Sequence, residues 1–152
     1  MRVNLPISTQ EYAFPKGQTL VSTTDLKGRI TYANDVFIRM AKYSWKELMG
    51  APHSLIRHPD MPPEAFQNLW DTLKAGKPWL GAVKNRRKNG DFYWVLATAS
   101  PIRENGQVKG YTSIRTRLPA DQRKLAEETQ RLEQREKVRN YVSKKDKKAP
   151  RL

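Results

Sequence analysis

The sequence predicts an α+β domain: a five-stranded antiparallel sheet with short helices on one face, plus a C-terminal helical extension. Three observations predict it. Two short strand patterns stand together near residues 19–24 and 29–33, and three more follow one another between residues 79 and 117. The helical patterns between these groups are short, which suits helices laid on a sheet rather than a bundle. The 152 residues divide into an arm over 1–17, the main domain over 18–117, a helix over 118–142 and a basic, disordered tail over 143–152.

In the arm, Pro6, Pro15 and Gly17 interrupt any period, so no element is assigned there. From Thr19 to Thr24 the chain reads as a strand, Asp25-Leu26-Lys27-Gly28 as a turn, and Arg29 to Ala33 as the returning strand. Asn34 stands at a helix N-cap, where its carboxamide oxygen can accept from a free N–H, with Phe37, Met40 and Ala41 at helical spacing behind it. Ser44 and Glu47 fit a capping box, and Gly50 closes the short helix they open. The prolines at 52, 59, 62 and 63 allow at most one helical turn between them. That bent connection holds His53, Arg57, His58 and Asp60. Phe66, Leu69, Trp70 and Leu73 then recur at i, i+3, i+4 and i+7, which predicts a longer helix stopped at Gly76.

The run from Trp79 to Trp94 predicts a hairpin. Asn89-Gly90 suits a tight type I′ turn, with positive φ at both residues. Alternation puts Trp79, Gly81, Val83 and Asn85 on one face, and this mixture of aromatic, gap, aliphatic and carboxamide fits either a ligand wall or an irregular core. The strand through Trp94–Ser100 is apolar or small on both faces and needs cover on both. Glu104-Asn105-Gly106-Gln107 turns the chain into a last strand, Val108 to Arg117. Helices occupy one sheet face; the C-terminal helix is the candidate for the other. Pro119 fits its first turn, and Leu118, Leu125 and Leu132 repeat every seven residues, while Gln122, Thr129 and Glu136 leave the companion seam polar. Such a helix packs weakly on the sheet or pairs with a second copy, without a long stable coiled coil.

Composition narrows the function. The net charge is +14, divided as 18 Lys+Arg against 9 Asp+Glu over residues 1–117 (+9) and 11 against 6 over 118–152 (+5). A charge so spread favours a generally basic surface over a nucleic-acid arm. Without cysteine, disulfides, thiolate metal sites, a cysteine nucleophile and a cysteinyl–cofactor adduct are excluded. The opening residues lack the apolar core of a signal peptide, and no run approaches a membrane span, so a soluble, intracellular protein is expected. Two histidines five residues apart, with no third partner, do not make a zinc site. There is no Ser/His/Asp elbow, phosphate-cradling loop or paired carboxylate, so no enzyme is expected.

The order of elements resembles a PAS domain over residues 18–117. Several segments are similar, more closely, to the sensory domain of bacterial aerotaxis (energy-taxis) receptors: Ser22-Thr23-Thr24-Asp25-Leu26, Ala33-Asn34-Asp35, Pro52-His53, Pro78-Trp79 and Tyr93-Trp94-Val95. Most specific are Arg57-His58-Pro59-Asp60-Met61-Pro62 and Val83 through Asp91. The resemblance implies a pocket that holds FAD non-covalently, with a redox state that reports on electron transport. It also implies that Asn34, Arg57, His58, Asp60, Phe66, Trp79 and Asn85 bind or orient the flavin; Trp70, four residues after Phe66, joins them as a candidate. The implied partner is a chemoreceptor-type signalling protein or its signalling domain, or a second copy of this chain. A cytoplasmic location is implied, alone or beside a membrane receptor complex. Aerotaxis receptors continue into a membrane anchor and a long helical region that controls a histidine kinase. As a whole product, this chain would resemble a stand-alone energy-taxis protein; as a fragment, its tail would be a truncated linker.

Ordinary roles stand beside these. Asn34 is first a helix cap, Asp60 suits the start of the next helix through the dipole, and Phe66 and Trp70 fit a core. Arg86, Arg87 and Lys88 suit a solvated hairpin tip. Arg57 offers planar donors to a diphosphate or a flavin edge, and His58 a hydrogen bond. Either histidine is chemically able to ligate haem, so a haem-binding or ligand-free PAS module is the alternative. In the flavin reading, reduction changes what the Asn85 carboxamide must donate or accept. Asn85 then reorients, and strain passes along its strand to the sheet face or the tail helix.

Overall fold

Strand pairing follows the alternation of the sequence. The computed structural model describes residues 4–148. Strands β1 (Leu20–Thr24), β2 (Ile30–Ala33), β3 (Trp79–Arg86), β4 (Phe92–Glu104) and β5 (Gln107–Arg117) form one antiparallel sheet in the order β2-β1-β5-β4-β3. Helices α1 (Asp35–Ala41), α2 (Trp45–Leu48) and α3 (Pro63–Lys74) and a 3-10 turn over His53–Ile56 lie between β2 and β3, and α4 (Ala120–Lys148) follows the sheet. The five-stranded α+β prediction holds.

Local chemistry accounts for the helix ends. Asn34 caps α1 by accepting from Phe37 N–H, and Ser44 and Glu47 form the complete capping box of α2. Phe37, Met40, Leu48, Ile56 and the sheet residues Leu20, Ile30, Tyr93 and Val95 are then buried in one core. Across the sheet, Leu118 and Ala126 pack with Trp94, Leu96 and Ala82, so the C-terminal helix does cover part of the second face. Its coverage is incomplete, since Leu80 and Ile114 remain exposed.

Four expectations are corrected. The β3–β4 connection is not a two-residue type I′ turn. Arg87 and Asp91 pair across it, Gly90 N–H donates to Arg87 C=O, and Gly90 alone takes positive φ (101°), the geometry of a three-residue loop with a bulge. Consecutive positive φ occurs instead at Asn105 (52°) and Gly106 (79°), in the β4–β5 turn. Nor is the tip wholly solvated: Arg86 and Arg87 are buried. Arg86 donates to the carbonyls of Pro6, Arg87, Lys88 and Leu55 and to Tyr43 Oη, and Arg87 donates to Met40 C=O at the end of α1 while lying 3.8 Å over Tyr12. A helix C-terminus offers unpaired carbonyls that a guanidinium can satisfy.

The arm is docked, although it shows no period. Ser8 N–H donates to Gly90 C=O, Tyr12 N–H to Phe92 C=O, and Phe14 enters the core. Single backbone bonds to a hairpin edge need no repeating pattern. The helix α4 reaches Lys148 rather than ending near 142; Lys and Ser tolerate helix, and the next proline is Pro150. The last part of the expected basic tail, residues 149–152, lies outside the described residues.

Candidate functional site

A cavity of about 340 Å³ opens between the concave sheet face, the 3-10 turn and α3. Strand parity aims Val83 and Asn85 of β3, Ala97 of β4 and Ser113 and Arg115 of β5 at it, while Phe66, Leu69 and Trp70 supply one face of α3. Its charged lining is Lys27, Arg57 and Arg115, with no carboxylate among the described residues.

Arg115 is 2% exposed. Its Nη2 donates to Ser22 Oγ at 2.7 Å, its Nη1 lies 3.4 Å from His53 Nε2, and its guanidinium stacks 4.3 Å from the Phe37 ring centre. Nε has no partner, and burial lowers the pKa to about 10, which leaves the group charged at neutral pH. His53 is half-buried and lines the cavity. Burial, then Arg115 and Arg57, push its pKa down to about 3. The neutral ring accepts at Nε2 from Arg115 and from Ser22 Oγ, 3.0 Å away. A serine and a histidine are thus adjacent, but so weak a base flanked by a cation cannot activate a nucleophile.

Arg57 reaches the cavity because it forms an antiparallel bridge with Asn85, and Asn4 Nδ2 holds the carbonyls of Ser54 and Arg57 at 2.8 and 2.9 Å. Its guanidinium covers Phe66 at 3.6 Å, and its Nε is buried without a partner. Asn85 is 3% exposed, and its Nδ2 is also unpaired. At the open side stand Lys27 and Gly28. Gly28 has φ 79°, and a Cβ there would lie 3.3 Å from the Trp70 ring, whose other contact is edge-on to Tyr111 at 5.3 Å between centres.

Four of the eight candidates therefore line one cavity: Arg57, Phe66, Trp70 and Asn85. The other four stand outside its lining. Asn34 spends its carboxamide on Phe37 N–H, Val21 N–H and Thr19 C=O. His58 accepts at Nδ1 from Asp60 N–H and packs edge-on to Phe92; burial, then Lys84, lower its pKa to about 4 against the opposing pull of Asp60. Asp60 does not serve the start of α3. It pairs with Lys84 at 2.9 Å, and Glu64 supplies the acid of that first turn. Trp79 shares the strand face of Asn85, yet its ring folds over Gly81, where a Cβ would meet it at 2.4 Å, and Nε1 donates to Asn68 Oδ1. Its indole thereby lines a second groove, beside α4.

Arg115, His53 and Ser22 were not singled out for this cavity by sequence reasoning. The available signal for Arg115 was parity, since Tyr111, Ser113 and Arg115 alternate on one strand.

Comparisons with known proteins agree with this architecture. Residues 30–115 match the PAS fold family. Over 111 residues the chain is 53% identical to the aerotaxis receptor of Escherichia coli (strain K12), covering 73% of this chain and 22% of that protein. Over 95 residues it is 32% identical to the nitrogen fixation regulatory protein of Klebsiella pneumoniae, covering 62% of this chain and 19% of that protein. The chain thus spans about a fifth of the length of these relatives. Among solved structures, the blue-light photoreceptor Aureochrome1 LOV superposes with a TM-score of 0.65 at 22% identity, over 75% of this chain and 86% of that one.

Proposed function

Because the chain belongs to the PAS fold family, we propose that it is a sensor domain that holds FAD in the concave cavity and passes the flavin's redox state to a chemotaxis signalling partner. Residues 18–117 are the sensory unit in this reading, and α4 carries the output. One observation carries it: the charged residues that line the cavity are Lys27, Arg57 and Arg115, with the Asn85 carboxamide beside them and no carboxylate among the described residues. Such a wall selects a ligand rich in acceptors and negative charge. A flavin offers a flat apolar ring to Ile56, Leu69 and Val83, an acceptor-rich ring edge to Asn85 and Arg115, and phosphate to Arg57 and Lys27. The similarity to an aerotaxis receptor supports the same assignment. Haem fits less well, because the cavity histidine, His53, has its Nε2 lone pair turned to Arg115 and Ser22.

Bound flavin supplies reversible electron acceptance, with negative charge or a proton gained at the ring. Arg115 and Arg57 favour that negative charge electrostatically. Asn85 can exchange donor for acceptor by rotating its carboxamide, and the Arg57–Asn85 bridge ties this residue to the segment that reaches α4 through Asp60 C=O and Gln134.

The purified chain should show a flavin double absorption band that bleaches with dithionite, and heat should release FAD identifiable by chromatography. A folded, colourless protein that takes up neither FAD nor FMN overturns the proposal. Asn85→Ser should retain flavin but lose the signal; normal signalling removes Asn85 from the mechanism.

A further inference from the structure

We propose that the outward side of α4 lies against an anionic phospholipid surface. The inward side of the helix is settled by its contacts: Ala126 packs on the core, Gln130 walls the groove beside β3, Gln134 donates to Asp60 C=O and Lys137 pairs with Glu64. At 3.6 residues per turn, the opposite side carries Lys124, Glu128, Arg131, Arg135, Arg139 and Val142, all of them exposed. Arg131, Arg135 and Arg139 recur every fourth residue, about 6 Å apart along the axis. None of the three has a carboxylate partner among the described residues, whereas Lys84, Lys88, Arg123 and Lys137 are all committed to acids within the chain. Glu128 is the one acid in the row, and four lysines against one aspartate follow in the sequence from residue 144 to 148.

A row of guanidiniums on one side of a straight helix suits a flat field of phosphates, since each planar fork can pair with two phosphate oxygens. Apolar residues decide between a bilayer and nucleic acid. Leu132 is exposed beside the row and Val142 at its end. A phosphodiester backbone offers them nothing, whereas a bilayer interface receives apolar side chains just below its headgroups while the long arginine stems keep their charges among the phosphates. No helix of the described residues is long and apolar enough to cross a membrane, so this contact is made from the surface. The net charge of +14 draws the chain toward such a surface, and the arginine row orients it there.

The test is co-sedimentation of the full chain with lipid vesicles. At about 0.1 M salt the chain should pellet with vesicles of phosphatidylcholine and phosphatidylglycerol mixed about three to one, and about 0.5 M salt should release it by screening. Vesicles of phosphatidylcholine alone should leave it in solution. The triple variant Arg131→Gln, Arg135→Gln, Arg139→Gln keeps good helix formers and should bind about 100-fold more weakly, about fivefold per arginine, with an unchanged thermal midpoint. Lys16→Gln, Lys74→Gln, Lys109→Gln removes the same charge from exposed positions elsewhere and should weaken binding less than about fivefold. A chain that ignores the anionic vesicles overturns the proposal, and so do equal losses in the two triple variants, which would show a response to net charge alone. Capture by duplex DNA through the arginine row, with the vesicles ignored, overturns it in favour of nucleic acid. None of these readouts needs the cavity filled, so failure here is separable from failure of the flavin assignment.

Discussion

Replacing Arg115 by leucine separates a ligand-binding cation from a structural brace. The folded environment lowers the guanidinium pKa from 12.5 to about 10, so keeping it charged in the open cavity costs about 3 kcal/mol of folding free energy. No carboxylate offsets this; the compensations are Ser22, the weak contact to His53 and the Phe37 face. Leucine removes the penalty and leaves the Ser22–His53 hydrogen bond in place. The cofactor-stripped variant should therefore be as stable as the parent or more so, by up to about 3 kcal/mol less whatever packing the shorter side chain loses. Binding should move the other way. A unit charge about 4 Å from an anionic acceptor is worth about 4 kcal/mol at an effective dielectric of about 20. With part of that lost to solvent, FAD affinity should fall about 10- to 100-fold. Urea denaturation of the stripped proteins and fluorescence titration with FAD give the two numbers. The reasoning is refuted if the stripped variant loses about 2 kcal/mol or more while FAD binds as before. Arg115 would then be a strut between β5, β1 and α1.

Two further outcomes follow from other parts of the molecule. Both histidines stay neutral in the fold, with pKa near 3 for His53 and 4 for His58 against 6.5 ordinarily, so stability present above pH 6.5 is lost as pH falls toward those values. At about pH 5 each should remove about 2 kcal/mol, His58→Gln should abolish about half of the slope, and urea midpoints that stay flat between neutral pH and pH 5 would contradict this burial. Gly110→Ala should destabilise by about 1–3 kcal/mol, because a Cβ there would lie 2.2 Å from the Thr24 carbonyl oxygen across the sheet. An unchanged thermal midpoint would show that β1 and β5 are free to separate at that point.

What the sequence revealed depended on how locally each feature is determined. The Asn34 cap, the Ser44–Glu47 box and the Phe66–Leu73 stripe involve residues within one or two turns, and all three are present as read. The β3–β4 loop was misread because its shape is set from elsewhere: Arg87 is drawn to the carbonyls of Arg39 and Met40, and the arm pairs with Gly90. In the cavity, Asn85 was legible from parity and from resemblance, and Arg57 from its place between prolines. Trp79 followed the same parity out of the cavity, since parity fixes a face but not how far a large ring folds along it. Arg115 escaped notice because a lone arginine between Ile114 and Thr116 looks like the polar position of a half-exposed strand. Only its register opposite Leu20 and Ala97 shows that it points inward.

The contacts between the cavity wall and α4 are weak in a way that suits transmission. Arg57 and His58 are tied to β3 by the Arg57–Asn85 bridge and by His58 N–H to Lys84 C=O at 3.3 Å. Two steps further on, Asp60 C=O accepts from Gln134 at a long 3.4 Å, and the Glu64–Lys137 pair at 3.2 Å is exposed. Exposed pairs of this kind are worth about 0–1 kcal/mol each. The middle of α4 is thus held by at most about 2 kcal/mol beyond its packing through Ala126, whereas the cavity side of the same segment is buried and cross-braced by Asn4. A change of about 1–2 kcal/mol at Asn85 would hardly disturb the wall, but it is comparable with the polar hold on the middle of α4 and would shift a docked–released equilibrium of that part about 5- to 30-fold. In the proposed sensor, rigidity at the cavity and marginal attachment at the helix would be complementary: the first would let the cavity register a small chemical change, and the second would let so small a change move part of an element of 29 residues.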